Sequence, residues 1–138
     1  MPESIGIAEA RDRLSHIVNE VAYGTARYVV ERRGKPLAIL ISAAEYESLA
    51  MLLSKAKVPE QIHGIPVLIH FDGERFFVTD DQFDLYGTGP TLAAAREDYW
   101  LAVQEYCADL STDAGRLAPY LAERLVKLQD ILAQAEET

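Results

Sequence analysis

The stretch that most constrains this chain is Arg27–Leu53, where two β-prone runs meet at Arg33-Gly34 and lead straight into a helical pattern. Arg27 to Arg32 (RYVVER) is rich in β-branched and aromatic residues, and Arg33-Gly34 supplies a tight turn. Pro36 to Ile41 (PLAILI) is almost wholly apolar, as expected of a strand buried on both faces, with the donor-less Pro36 at its start. Ser42-Ala43-Ala44-Glu45 then reads as a capping box: the Ser42 hydroxyl accepts from the Glu45 amide, and the Glu45 carboxylate reaches back to the Ser42 amide. A helix from Ala43 to about Leu53 follows, with Tyr46, Leu49, Ala50 and Leu53 expected inside.

Upstream, Ser4 to Ile7 reads as a short strand, and from Ala8 the period changes to helical. Ala10, Leu14, Ile17, Val18 and Val21 define one apolar face, while Arg13, His16 and Glu20 lie on another. Gly24 is expected to stop this helix in the left-handed conformation. The order is β-α-β-β-α in fewer than 60 residues. A unit this small cannot bury Leu37, Ile39 and Ile41 on both sides. A second copy covering the open face, hence an isologous homodimer or higher oligomer, is the expected remedy; cover by the second half of the chain is the alternative.

Lys57-Val58-Pro59-Glu60-Gln61 marks a change of composition and is read as the boundary between domains 1–57 and 58–138. Ile65 to Phe71 and Arg75 to Thr79 are β-prone runs around Asp72-Gly73, a type I′ hairpin signal, and Phe83 to Tyr86 is a candidate third strand. Gly87-Thr88-Gly89-Pro90 is expected to break the chain before Thr91 caps a long helix whose inner face is Leu92, Ala95, Tyr99, Ala102, Val103, Tyr106 and Leu110. A last helix runs from about Leu117 to Ala133 with leucines at 117, 121, 125, 128 and 132, and Pro119 confined to its first turn. That leucine face is expected to pack within its own domain rather than to form a coiled-coil seam. The fold class is therefore α+β, a β-α-β-β-α module followed by a hairpin, with room for a third strand, and two helices.

Charge divides along the same boundary. Residues 1–57 carry eight basic and seven acidic side chains, whereas 58–138 carry five basic and fifteen acidic ones. The total of −9 argues against a nucleic-acid binder as a whole, but the first half is near neutral with clustered arginines. The longest apolar run, Leu37 to Ile41, is far too short to span a bilayer, and no secretory signal pattern opens the chain. With the single cysteine, Cys107, this points to a soluble protein of the cytoplasm.

Two segments, IAEARDRL and VVERRGKPLAILISAAEYESL, resemble the E-A-R-x-x-L and V-x-x-R-x-G-K-P-x-A-x-L-x-S-x-x-E-Y-x-x-L patterns of Phd/YefM-type antitoxins over about 50 residues. The resemblance implies a dimeric fold that binds double-stranded operator DNA through basic residues of the first helix and the hairpin. Carried onto this chain, it points to Arg11 and Arg32, with Arg13, Arg33 and Lys35 adding charge along the phosphate backbone. Arginine's planar fork suits phosphate and guanine edges alike. The competing reading is that Arg11 and Arg32 pair with Glu9, Asp12 or Glu31 on a solvated surface. His16 is read as a surface histidine. Residues 65–110 resemble the core of HicB-type antitoxins through Gly89, Thr91 and Ala95. Best-known Phd-type proteins follow their DNA-binding half with a short segment that folds on its toxin; this chain has about 80 further residues with their own strands and helices.

Other constellations give less. Gly87–Thr91 lacks the lysine and spacing of a phosphate loop. Asp80, Asp81 and Asp84 read as a solvated acidic loop, with an acidic surface for a basic partner as the alternative and a Mg²⁺ site of a nuclease as the remote one. His63 and His70 lack zinc-ligand spacing, Cys107 has no neighbour to activate it, and Tyr99, Trp100 and Tyr106 read as core. No nucleophile-base-orienter set can be assembled, so neither an enzyme nor a cofactor is expected. The expected function is that of a type II antitoxin which represses its own operon and binds a cognate toxin through 58–138. A stand-alone regulator or interaction module of the same fold is the alternative.

Overall fold

The computed structural model describes residues 2–137. Its internal contacts divide the chain into two units, Met1–Met51 and Leu52–Thr138, each treated on its own below.

In the first unit, β1 (Glu3–Gly6), α1 (Ile7–Asp12), α2 (Leu14–Tyr23), β2 (Tyr28–Arg32), β3 (Lys35–Leu40) and α3 (Ala43–Lys55, which runs past the division) follow one another. The sheet order is β1-β2-β3, with β1 parallel to β2 and β3 antiparallel to it. The Arg33-Gly34 turn has both residues at positive φ, 53° and 78°, the requirement of a two-residue primed turn. The ladder slips between Val30 and Glu31, which pair with Ala38 and Pro36, so Leu37 is the extra residue of a bulge. Pro36 is tolerated because β3 is an edge strand.

The expected first helix is two helices. Arg13 leaves helical dihedrals (φ −110°, ψ 17°), yet its amide bonds to Glu9 and the Ile17 amide bonds to its carbonyl, so the helix bends there without ending. Gly24 closes α2 in extended, not left-handed, backbone (φ −110°, ψ −153°). Glycine is needed there for space: a Cβ would sit 2.6 Å from the Glu20 carbonyl oxygen.

The core of this unit is small, namely Ile5, Ala10, Ile17, Val21 and Tyr28, with Ala26, Val30 and Leu40 against it. Four further expectations of burial fail. Leu14 and Val18 stay half exposed on α2, and Leu37 and Ile39 on β3 are 54% and 61% exposed, because nothing described within the first unit covers those faces. Likewise Tyr46, Leu49 and Leu53 point outward, and α3 has no buried residue. Ser42 does accept from the Glu45 amide at 3.0 Å. The Glu45 carboxylate, however, pairs with Arg27, a full charge that outcompetes the neutral Ser42 amide.

The second unit holds four strands, where a hairpin with an optional third was expected. β4 (Lys57–Ile62), β5 (Ile65–Phe71), β6 (Phe76–Thr79) and β7 (Tyr86–Gly89) form an antiparallel meander in that order. α4 (Leu92–Thr112), a 3₁₀ turn (Ala114–Arg116) and α5 (Pro119–Glu137) follow. The segment read as a boundary is β4, joined to β5 by His63-Gly64 with both φ positive (47° and 84°). Pro59 lies in this edge strand opposite Leu68. The turn after β5 is a four-residue loop, not the two-residue turn expected: Asp72 accepts from the Glu74 and Arg75 amides at 2.9 and 2.8 Å.

The third strand lies at 86–89, not 83–86, and the glycines read as a chain break are inside it. A Cβ on Gly87 would come 2.1 Å from the Tyr99 amide nitrogen, and one on Gly89 2.7 Å from the Ala94 Cβ. Glycine here lets β7 lie directly on α4. Thr91 caps α4 as expected, accepting from the Ala94 amide at 3.1 Å. Ile65, Val67, Ile69, Val78 and Phe83 meet Ala95, Tyr99, Val103, Cys107 and Leu110 of α4 and Leu125 and Leu128 of α5 in one core. The leucine face of α5 thus packs inside its own unit, with Leu117, Leu121 and Leu132 partly buried around that core.

Candidate nucleic-acid interface

Parallel pairing of β1 with β2 sets Gly6 beside Glu31. The chain therefore enters α1 at the same end of the sheet where β2 runs into Arg32 and the turn, and α1 touches both strands. Arg11 and Arg13 on the α1 side, and Arg32, Arg33 and Lys35 on the hairpin, are all exposed. Glu9, Asp12 and Glu31 are the acidic residues beside these cations in the sequence.

The five differ in how they are held. Arg11 lies 3.6 Å from Asp12 with both side chains more than 70% exposed, a pair that solvent screens heavily. Arg13 donates to Glu9 at 3.2 Å, one helical turn away. Arg32, Arg33 and Lys35 have no ion pair among the described residues. Competition from surface acids, raised against Arg11 and Arg32, thus meets Arg11 and Arg13 rather than Arg32. The helix carrying Arg11 is only six residues long.

Two polar clusters brace the first unit away from that end. Glu20 receives the Tyr28 hydroxyl and pairs with His16, so His16 is tied to its own helix surface. The Tyr28 hydrogen bond, with the His16 and Arg13 charges helping, holds the Glu20 carboxyl below its usual range. Reciprocally, bonding to Glu20 pushes Tyr28 up to about 12. Arg27, never a DNA candidate, is committed to Glu45.

The acidic loop of the second unit is not the solvated cluster that was expected. Asp80 is buried and accepts from the Phe83 amide, from the Leu85 amide at 3.3 Å and from the Tyr99 hydroxyl at 2.7 Å. Burial first, then the bond to Asp80, raises the Tyr99 pKa. Asp81 and Asp84 are exposed, and Asp84 lies 4.0 Å from Arg124. Among the described residues no group of three or more His, Cys, Asp or Glu could hold a metal ion. His63 lies against Trp100 with ring centroids 4.1 Å apart, His70 contacts the Ala56 carbonyl at 3.3 Å, and Cys107 is buried. Sequence reasoning missed the two-pronged Arg96–Glu60 pair at 2.6 and 2.8 Å, because it required β4 to be recognised as a strand. No described helix is long and apolar enough to cross a membrane.

Residues 2–61 match the family model of antitoxin Phd_YefM, type II toxin-antitoxin system. A search of curated proteins returns no match. Among solved structures, the antitoxin part of a proposed toxin/antitoxin system from Syntrophomonas wolfei subsp. wolfei is similar at 17% identity, covering 94% of this chain and 87% of that one. Its TM-score of 0.38 is too low for any site to be transferred.

Proposed function

We propose, from a first half that matches the Phd/YefM antitoxin family model, that the chain is a cytoplasmic, non-catalytic antitoxin whose first half dimerises and binds operator DNA, and whose second half receives the cognate toxin. The observation that carries the DNA-binding part is the hairpin tip, where Arg32, Arg33 and Lys35 are exposed without ion pairs among the described residues. Such unpaired cations are free to exchange condensed counterions for protein contacts on phosphate. Exposed Leu14, Val18, Leu37, Ile39, Tyr46 and Leu49 support the dimer, since this much exposed apolar side chain calls for a cover.

A gel-shift salt series on the protein's own upstream DNA tests the reading. Arg32→Ala plus Arg33→Ala is expected to weaken binding roughly tenfold or more and to lower the salt slope by about 2, one unit for each phosphate contact removed. Arg11→Ala is expected to weaken binding less, because Asp12 already competes for it. Specific binding indifferent to all three changes would overturn the site. A regulator of the same fold without a toxin is the second reading. It is favoured by the complete core of the second unit, which needs no partner in order to fold. Growth rescue on co-expression with a neighbouring toxin gene separates the two.

A further inference from the structure

The meander in the second unit has helices on one face only. Register assigns the two faces. Val58, Ile69, Val78 and Gly87 form a row facing the helices, whereas Lys57, His70, Phe77 and Thr88, then Pro59, Leu68, Thr79 and Tyr86, form rows on the other side. That outer side carries two adjoining grooves. One of about 740 Å³ is lined by Pro59, Pro66, Leu68, Thr79 and Asp81 among others. The second, of about 450 Å³, is lined by Lys57, Leu68, His70, Phe77, Thr79 and Tyr86 among others. Leu68 and Thr79 line both, so the grooves make one trough along β5. From Pro66 to Asp72 it runs about 20 Å at ~3.3 Å per residue, the length of a helix of about 13 residues.

The floor is apolar and the ends differ in charge. Lys57 and Arg75 lie toward one end, where Arg75 donates to the Thr88 hydroxyl at 3.2 Å. Asp72 is also there, but its carboxylate is occupied by the amides of its own turn, which lower its pKa. Asp81 stands exposed at the other end. A helix laid in the trough meets complementary charge when its amide end faces Asp81 and its carbonyl end faces Lys57 and Arg75. The excess of ten acidic side chains in 58–138 favours a partner that is basic overall. A helix on the bare face of a sheet backed by helices also completes a common layered architecture.

We propose that this open sheet face is the docking surface for an amphipathic helix of the toxin, apolar toward Leu68 and Phe77 and basic at the end that meets Asp81. This rests on the reading that the second half receives a toxin, and the test separates the two. The full chain is co-expressed with the toxin encoded beside it, with growth rescue, pull-down and calorimetric affinity as readouts. The wild-type chain is expected to rescue and bind. Leu68→Lys and Thr79→Lys are each expected to weaken binding by about tenfold or more. Thr79 is exposed, so T79K should retain the wild-type circular dichroism and denaturant midpoint. Glu123→Lys, exposed on α5 and lining neither groove, is expected to stay within about twofold of wild type. Full binding by a folded T79K protein overturns the docking surface. So does a larger loss in E123K, or a T79K protein that changes mass in sedimentation without toxin, which would make a second copy the occupant. A wild-type chain that neither binds nor rescues removes the antitoxin reading itself.

Discussion

The two units solve the problem of burial in opposite ways. The first, with 51 residues, buries five apolar side chains and leaves Leu14, Val18, Tyr23, Leu37, Ile39, Tyr46, Leu49 and Met51 substantially exposed. The second builds a core of twelve buried residues from a sheet and two helices. A chain of mixed character therefore needs two explanations: one half leaves much of its apolar surface open, and the other is shaped by its own packing. Stability in the second half should follow its own core, whereas in the first it should follow protein concentration.

The largest effect should come from emptying the self-sufficient core. Leu128→Ala, at a fully buried position, is expected to cost about 2–5 kcal/mol in a denaturant titration followed by circular dichroism. A loss below ~1 kcal/mol would mean that the second unit is not held by the core described. Next, Ile39→Asp sits on a surface 61% exposed within the chain, so it should leave the folded chain intact and weaken self-association by about tenfold or more in sedimentation equilibrium. If that variant associates like wild type, the contrast between the units loses its basis.

The smallest effect should be the pH dependence of the first unit. Glu20 has a lowered pKa, so its contribution is present above the unfolded carboxyl value and fades as pH falls through the lowered one. Tyr28 is raised to about 12, so its contribution is full below the ordinary tyrosine range and fades as pH rises through about 12. Tyr28→Phe should flatten the alkaline limb of a melting-temperature profile, and a limb of unchanged shape would count against the Glu20–Tyr28 bond.

Legibility in the sequence followed the same divide. The first unit was read element by element because its turn residues and β-branched runs are local signals, and Arg33-Gly34 adopted the turn its residues demanded. What escaped was burial, since nothing described within the first unit covers the inward faces assigned to β3 and α3. In the second unit β4 was missed because Pro59 and a charged, polar run look like a linker. Gly87 and Gly89 looked like a break because their purpose is contact with a helix that comes later in the chain. Arg96–Glu60 and Asp80–Tyr99 are pairs made by the tertiary fold, 36 and 19 residues apart, and carry no local signature. For the candidate DNA contacts the residues were legible as a set, but their ranking was not: the partners of Arg11 and Arg13, and the freedom of the hairpin tip, emerge only with the helix bend and the strand pairing.

Edge strand β4 also bears on how the protein behaves when concentrated. An unpaired strand edge is a template on which another chain can grow a sheet, the first step toward fibrous aggregation. In β4 that template is defective: Pro59 has no amide to donate, and Lys57 and Glu60 flank it with charge. The residue that disguised β4 as a linker thus serves as a gatekeeper, keeping a four-stranded sheet with one bare face from recruiting copies of itself edge to edge.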